Sequence, residues 1–164
     1  MKPRILQLED ITPTAHLWYD IWHETQAPYV PDALIKRRTF EEFEGRVRAM
    51  VVNGDTLRVI GPIGGPLGLC AIKPTEMYQL FVAPQGRGTG AAAALLADAE
   101  ARLIAGGCTR AHLDCLDENE PAQRFYTRQG WVPTGVQITT LDTAEGPFDL
   151  PCMIFEKELT THAT

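Results

Sequence analysis

The stretch Leu80-Phe81-Val82-Ala83-Pro84-Gln85-Gly86-Arg87-Gly88-Thr89-Gly90-Ala91 carries the clearest chemistry in the chain. Its first residues read as a strand, its glycines as a turn, and the alanines that follow as the start of a helix. Such a turn aims free backbone N–H groups and the positive end of a helix dipole at one point. A pyrophosphate fits there without a lysine. A Walker A loop is excluded, because no Gly-Lys-Ser/Thr follows. Gly86, Gly88 and Ala91 formally satisfy the dinucleotide pattern G-x-G-x-x-G/A. The acidic residue expected about 20 positions on is replaced by Gly106-Gly107, and Asp114 falls too late, inside its strand. A turn with a purely structural role is the remaining alternative.

The nucleophile candidates are weaker. None of Cys70, Cys108, Cys115 and Cys152 forms a C-x-x-C pair or has a histidine at metal-ligand spacing. They read as small buried hydrophobes in a reduced, cytoplasmic protein, with neither disulfides nor a metal. Cys115 lies beside Asp114, Asp117 and Glu118, but His112 projects from the opposite face of the same strand, so no base activates the thiol.

The elements that must hold these residues read as a mixed α/β sheet, in the order β-α-α-β-β-β-α-β-α-β-β. Arg4–Leu8 is a first strand. Thr12-Pro13 caps a helix running to Thr25, in which Leu17, Trp18, Ile21 and Trp22 recur at helical spacing. Residues 33–50 form a second helix, divisible at Thr39, which stands three residues before Glu42. A turn at Asn53-Gly54-Asp55 leads to a hairpin, Thr56–Gly61 with Leu67–Ile72, and then to strand Glu76–Val82. An Ala-rich helix, Gly88–Ala105, crosses over to a parallel strand, Arg110–Leu116. A helix over Glu120–Gln129 and an antiparallel pair, Trp131–Leu141 and Leu150–Leu159, close the chain, with a frayed tail beyond. Residues 1–159 read as a single domain.

The net charge of −6 over 164 residues argues against a nucleic-acid partner. Lys36-Arg37-Arg38 reads as a solvated helix face beside Glu41, Glu42 and Glu44. No apolar run approaches the ~20 residues of a membrane span, and Met1-Lys2-Pro3-Arg4 leads into a strand-like segment rather than an apolar leader.

A second motif decides among the readings of the turn. Gln85-Gly86-Arg87-Gly88-Thr89-Gly90 resembles the Gln/Arg-x-x-Gly-x-Gly/Ala turn of the Gcn5-related N-acetyltransferases (GNATs). About thirty residues later, Asn119-Glu120-Pro121-Ala122-Gln123-Arg124-Phe125-Tyr126-Thr127-Arg128-Gln129-Gly130-Trp131 is similar to that family's second signature. The resemblance is strong over residues 76–133 and topological elsewhere. It implies a sheet whose central parallel strands, Glu76–Val82 and Arg110–Leu116, splay apart around acetyl-CoA. The backbone of Phe81 and Val82 would hold the pantetheine and acetyl group, with the Val82 N–H as an oxyanion donor. Gln85, Gly86, Arg87, Gly88, Thr89 and Gly90 would cradle the pyrophosphate. Asn119 would bond the pantetheine arm and also cap its helix. Glu76 would serve as the base that deprotonates the amine, and the Tyr126 hydroxyl would face the sulfur and give the departing thiolate a proton or a hydrogen bond.

The acceptor would bind opposite the cofactor, with Trp22, His23 and Tyr29 as its wall and His23 as an alternative base. Together with the acidic composition this suggests a small-molecule amine, an amino acid or an amine-bearing antibiotic, without nucleic acid or membrane as partner, and a histone-like or ribosomal peptide tail stays open. A homodimer through the last hairpin's edge stays open. Two rival readings also stay open: a non-catalytic acyl-CoA-binding domain, and an NAD(P)-dependent oxidoreductase.

Overall fold

The computed structural model describes residues 1–53 and 57–160. Among these residues seven strands form one sheet in the order β1-β2-β3-β4-β5-β7-β6. The strands are β1 (Arg4–Ile5), β2 (Leu57–Ile60), β3 (Gly68–Lys73), β4 (Glu76–Val82), β5 (Arg110–Leu116), β6 (Val132–Leu141) and β7 (Phe148–Glu158). All neighbours are antiparallel except β4 and β5. This is the mixed sheet expected from the sequence.

Among the described residues five α-helices cover the two faces: α1 (Ile11–Thr25), α2 (Asp32–Arg37), α3 (Phe40–Val52), α4 (Ala91–Ala105) and α5 (Glu120–Arg128). On one face α1 buries Ile11, Ala15, Trp18 and Trp22, a stripe at helical spacing, together with Phe43 and Val47 of α3 and Phe81 of β4. On the other, α4 buries Ala91, Leu95, Ala99 and Leu103 together with Tyr126 of α5 and Ala111, Leu113 and Cys115 of β5. Alternate residues of the inner strands thus feed two cores, so both sides of the sheet are apolar.

Several boundaries differ from expectation. The first strand stops at Ile5, and the chain turns through a 3₁₀ segment at Leu8–Asp10 with Leu8 exposed. The cause is Asp10, which is fully buried. Its carboxylate accepts from Arg4 Nη1 and Nη2 at 2.7 and 3.0 Å, from the Gln7 N–H at 2.8 Å and from the Gly64 N–H at 2.8 Å. Burial alone would raise its pKa, but these donors outweigh that and hold it below the ordinary value. Asp10 therefore stands at the N-cap position, and Thr12 instead donates to Glu44 at 3.1 Å. The second helix divides into α2 and α3, with Thr39 accepting from the Glu42 N–H at 3.2 Å. The crossover helix begins at Ala91, three residues later than expected, because Gly88 and Gly90 have positive φ. The last strand opens at Phe148 rather than Leu150. The expected turn at Asn53-Gly54-Asp55, the strand start at Thr56 and tail residues 161–164 lie wholly or partly outside the described residues.

The basic cluster is not a solvated face. α2 ends at Arg37, so Arg38 leaves the helical path and turns inward, where it is 3% exposed and pairs with Glu42. Arg37 lies over the Phe148 ring, 5.2 Å from its centroid. All four cysteines are buried and free, as expected. Among the described residues no helix is long and apolar enough to cross a membrane.

Candidate active site

The turn after β4 is built as an anion cradle. Gly86 and Arg87 N–H groups are tied back to Ala83 and Pro84, and the Thr89 hydroxyl donates to the Gly86 carbonyl. Gly88 (φ +76°) and Gly90 (φ +86°) take left-handed conformations that a side chain would strain. Among the described residues no acceptor meets the N–H groups of Gly88, Gly90, Ala92 or Ala93. Four donors at the start of a 15-residue helix thus await an anion. Arg87 is half exposed and pairs with Glu24 at 3.0 Å. Gln85 and Thr89 are exposed, while Gly86 is buried, with the Val82 side chain 2.7 Å from where a Cβ would stand.

β4 and β5 separate beyond their first contact. Their register holds one pair, Glu76 with His112, closed by the His112 N–H on the Thr75 carbonyl at 3.0 Å. On the other edge of β4, the Ala83 N–H donates to the Leu67 carbonyl at 2.7 Å. Leu67 and Ala83 are therefore a hydrogen-bonded pair. The antiparallel alternation then turns the backbone of Phe81 toward β3 and that of Val82 and Leu80 toward the gap. Of the two expected backbone contacts, Val82 faces the opening. Phe81 instead supplies its ring, stacked on Trp18 with centroids 5.6 Å apart.

A cavity of about 220 Å³ passes through this gap. It is lined from the α5 side by Asn119, Ala122 and Tyr126, and from the α3 side by Arg38 and Arg46. Glu76 and Asp114 lie between. Asn119 caps α5, its side-chain oxygen accepting from the Ala122 N–H at 3.4 Å, which leaves its amide NH₂ for a ligand. Tyr126 is 7% exposed, and its hydroxyl has no hydrogen-bond partner among the described residues. Burial first, then the neighbouring Cys115, drives its pKa far up, so the phenol stays protonated. Burial likewise pushes the Cys115 thiol up to about 12, which removes it as a nucleophile.

Glu76 Oε1 lies 3.9 Å from His112 Nε2. Burial and then the Asp114 carboxylate raise the Glu76 pKa, and His112 and Lys73 only partly oppose them. Glu76, His112 and Asp114 bring ligand atoms within 4.8 Å of one another, close enough to surround a divalent cation. His112 and Asp114 also border an open groove of about 470 Å³ with Thr75, Gln137 and Thr139.

The expected acceptor wall is not brought to this cavity. Trp22 is in the α1 core at 5% exposure, and Tyr29 is half exposed. His23 Nε2 is bonded to the Arg38 carbonyl at 2.8 Å, so it is committed to positioning that loop. Gln26, one turn beyond Trp22, reaches the cavity instead.

A family model described as "Acetyltransferase (GNAT) family" matches residues 13–131. The chain belongs to the GNAT family of acetyltransferases. Its fold is that of solved GNAT structures. It is 15% identical to yncA of Salmonella typhimurium, solved with its cofactor acetyl-CoA, with a TM-score of 0.72 over 100% of this chain and 96% of that one. It is 18% identical to the PaiA N-acetyltransferase of Thermoplasma acidophilum in complex with coenzyme A, with a TM-score of 0.67 over 96% and 98%. It is 16% identical to a ribosomal-protein-alanine N-acetyltransferase of Brucella melitensis, with a TM-score of 0.73 over 97% and 100%.

Within this GNAT frame, the sequence motifs did not point to Arg38, Arg46, Tyr78 or Asp142. A register shift opposite Ala71 and Ile72 leaves Tyr78 as the extra residue of a bulge in β4. Its hydroxyl accepts from Arg46 Nη2 at 3.0 Å. One signal was available: Phe43, Arg46, Val47 and Met50 recur at i, i+3, i+4 and i+7, so a cation stands inside the core-facing stripe of α3.

Proposed function

We propose that this protein transfers an acetyl group from acetyl-CoA to the primary amine of a small molecule, by direct attack in a ternary complex. The reading is carried by the gap between β4 and β5, where Glu76 and Tyr126 line one cavity and the strand alternation turns the Val82 N–H toward the opening. The unpaired N–H groups of Gly88, Gly90, Ala92 and Ala93 take the pyrophosphate of the cofactor, and the Asn119 amide takes the pantetheine arm.

The acceptor arrives as an ammonium. Glu76, whose raised pKa brings it closer to neutrality, removes one proton, directly or through water. The amine nitrogen attacks the thioester carbon, and the new C–N bond forms as the carbonyl becomes an oxyanion facing the Val82 N–H. Collapse breaks the C–S bond. The second proton of the nitrogen passes to the sulfur through the Tyr126 hydroxyl as the amide forms, so the phenol ends the reaction protonated.

Thermal unfolding with saturating acetyl-CoA, and separately with NAD(P)H, tests this reading. A ligand at ~100 times its dissociation constant adds ~2.7 kcal/mol, a rise of a few degrees. A rise with acetyl-CoA alone, followed by thiol release with an amine, is the expected result. A rise with NAD(P)H alone overturns the assignment. Cofactor binding without turnover of any amine points to a non-catalytic acyl-CoA-binding domain.

A further inference from the structure

The acceptor part of the cavity carries two opposite charges on different elements. Glu76 and Asp114, from β4 and β5, supply the negative groups, with Asp142 at the edge beside Lys73. Arg38, Arg46 and Lys73 supply the positive ones. Two of the three cations are committed. Arg38 Nη1 pairs with Glu42 and donates to the Asp142 carbonyl at 3.0 Å. Lys73 Nζ sits over the Tyr78 ring, 3.9 Å from its centroid, and 4.0 Å from Asp142.

Arg46 is different. Its guanidinium lies 4.2 Å from the Trp18 ring centroid and 5.9 Å from that of Phe43. One of its five N–H donors meets the Tyr78 hydroxyl, and no carboxylate pairs with it among the described residues. The nearby Glu42 is already engaged, Oε1 by Arg38 and Oε2 by the Ala144 N–H at 3.1 Å. Desolvation works against the Arg46 charge and lowers its pKa, yet the group remains a cation. A guanidinium held this way offers a planar fork that a carboxylate matches with two parallel hydrogen bonds. The cavity volume, about 220 Å³, suits a small molecule.

Resting on the acetyl-transfer reading above, we propose that the acceptor is a small amine that also bears a carboxylate, an amino acid or a close relative. Its ammonium lies by Glu76 and Asp114, and its carboxylate lies on Arg46. Arg46 thereby sets specificity. An amine lacking the acid leaves the cation desolvated and unpaired, which disfavours it beyond the loss of one contact.

The test compares a panel of amino acids, including β-alanine and γ-aminobutyrate, with the same compounds as carboxamides, by acetyl-CoA-dependent thiol release. The amide lowers the basicity of a nearby amine and so frees more of it for attack, a bias against the expected result. Acids are expected to exceed their amides at least tenfold in kcat/KM. Arg46→Gln is expected to erase that ratio by raising KM for the acids and, with the unpaired cation gone, lowering it for the amides. Arg46→Lys retains a charge and an aliphatic stem over Trp18, and serves should Arg46→Gln not fold. It is expected to lower the acid preference without abolishing it. Amides used as well as acids, a ratio untouched in both variants, or no acetylated acid despite bound acetyl-CoA would overturn the proposal and leave cofactor binding standing. Failure of acetyl-CoA to bind would remove both readings together.

Discussion

The cradle after β4 and the cavity beside α3 are made of different materials. The cradle at the start of α4 is backbone: free N–H groups at Gly88, Gly90, Ala92 and Ala93, with the Val82 N–H left over where β4 and β5 part. The cavity beside α3 is side chains: Arg46 over Trp18, Arg38 on Glu42, Lys73 over Tyr78, Glu76 by His112. A backbone cradle depends on a local run of glycines and a helix start, so any chain that binds the same cofactor can reuse it. A side-chain cavity depends on residues far apart in sequence, so each can be exchanged without disturbing the cradle. The contrast is what a shared cofactor and a chain-specific acceptor require.

Substitutions sharpen this contrast in descending order of effect. Tyr126→Phe should lower kcat by about 10²-fold, with the KM for acetyl-CoA nearly unchanged, because the proton donor to the thiolate is lost while the packing stays. Steady-state rates check this; an unaltered kcat would make Tyr126 a packing residue only. Glu76→Gln should lower turnover at neutral pH by about thirtyfold. In the parent enzyme kcat/KM should fall as pH drops through the raised Glu76 pKa, since protonation removes the base. The variant should lose that limb, and a pH–rate profile unchanged by the substitution would sink Glu76 as base.

In the backbone cradle, Gly88→Val should weaken acetyl-CoA binding about tenfold while leaving kcat at saturation intact. The residue would be strained at φ +76°, by about 1 kcal/mol or more, and would crowd the cradle. Calorimetric titration reads this, and an unchanged affinity would mean the turn is only structural. The smallest effect belongs to Arg87→Ala. This exposed arginine pairs with an exposed Glu24, so its removal should change acetyl-CoA affinity less than about threefold at physiological salt. A larger loss would show that the side chain, not the backbone, holds the phosphates.

The same contrast explains what could be read from the sequence. The turn from Gln85 to Gly90 and the segment from Asn119 to Trp131 are contiguous, so their residue types and spacing were visible, as were the crossover helix and both parallel strands. Thr39 was legible as an internal cap because capping is local. Arg38 was misread because Lys36-Arg37-Arg38 is basic throughout. Which of three neighbours turns inward depends on where α2 stops. Trp22, His23 and Tyr29 were plausible walls by residue type, but α1 uses Trp22 to fill its core and His23 to hold the Arg38 carbonyl. Asp10 had no local signal either. Its role arises from Arg4, Gln7 and Gly64, which meet only in the fold.

A crystal structure of the protein with acetyl-CoA would test the central claim most directly. The account expects the pyrophosphate on the N–H groups of Gly88, Gly90, Ala92 and Ala93. It expects the thioester carbonyl within hydrogen-bond distance of the Val82 N–H, and the sulfur facing the Tyr126 hydroxyl. A cofactor seated outside the gap between β4 and β5, or a thioester turned away from Val82 and Tyr126, would contradict it.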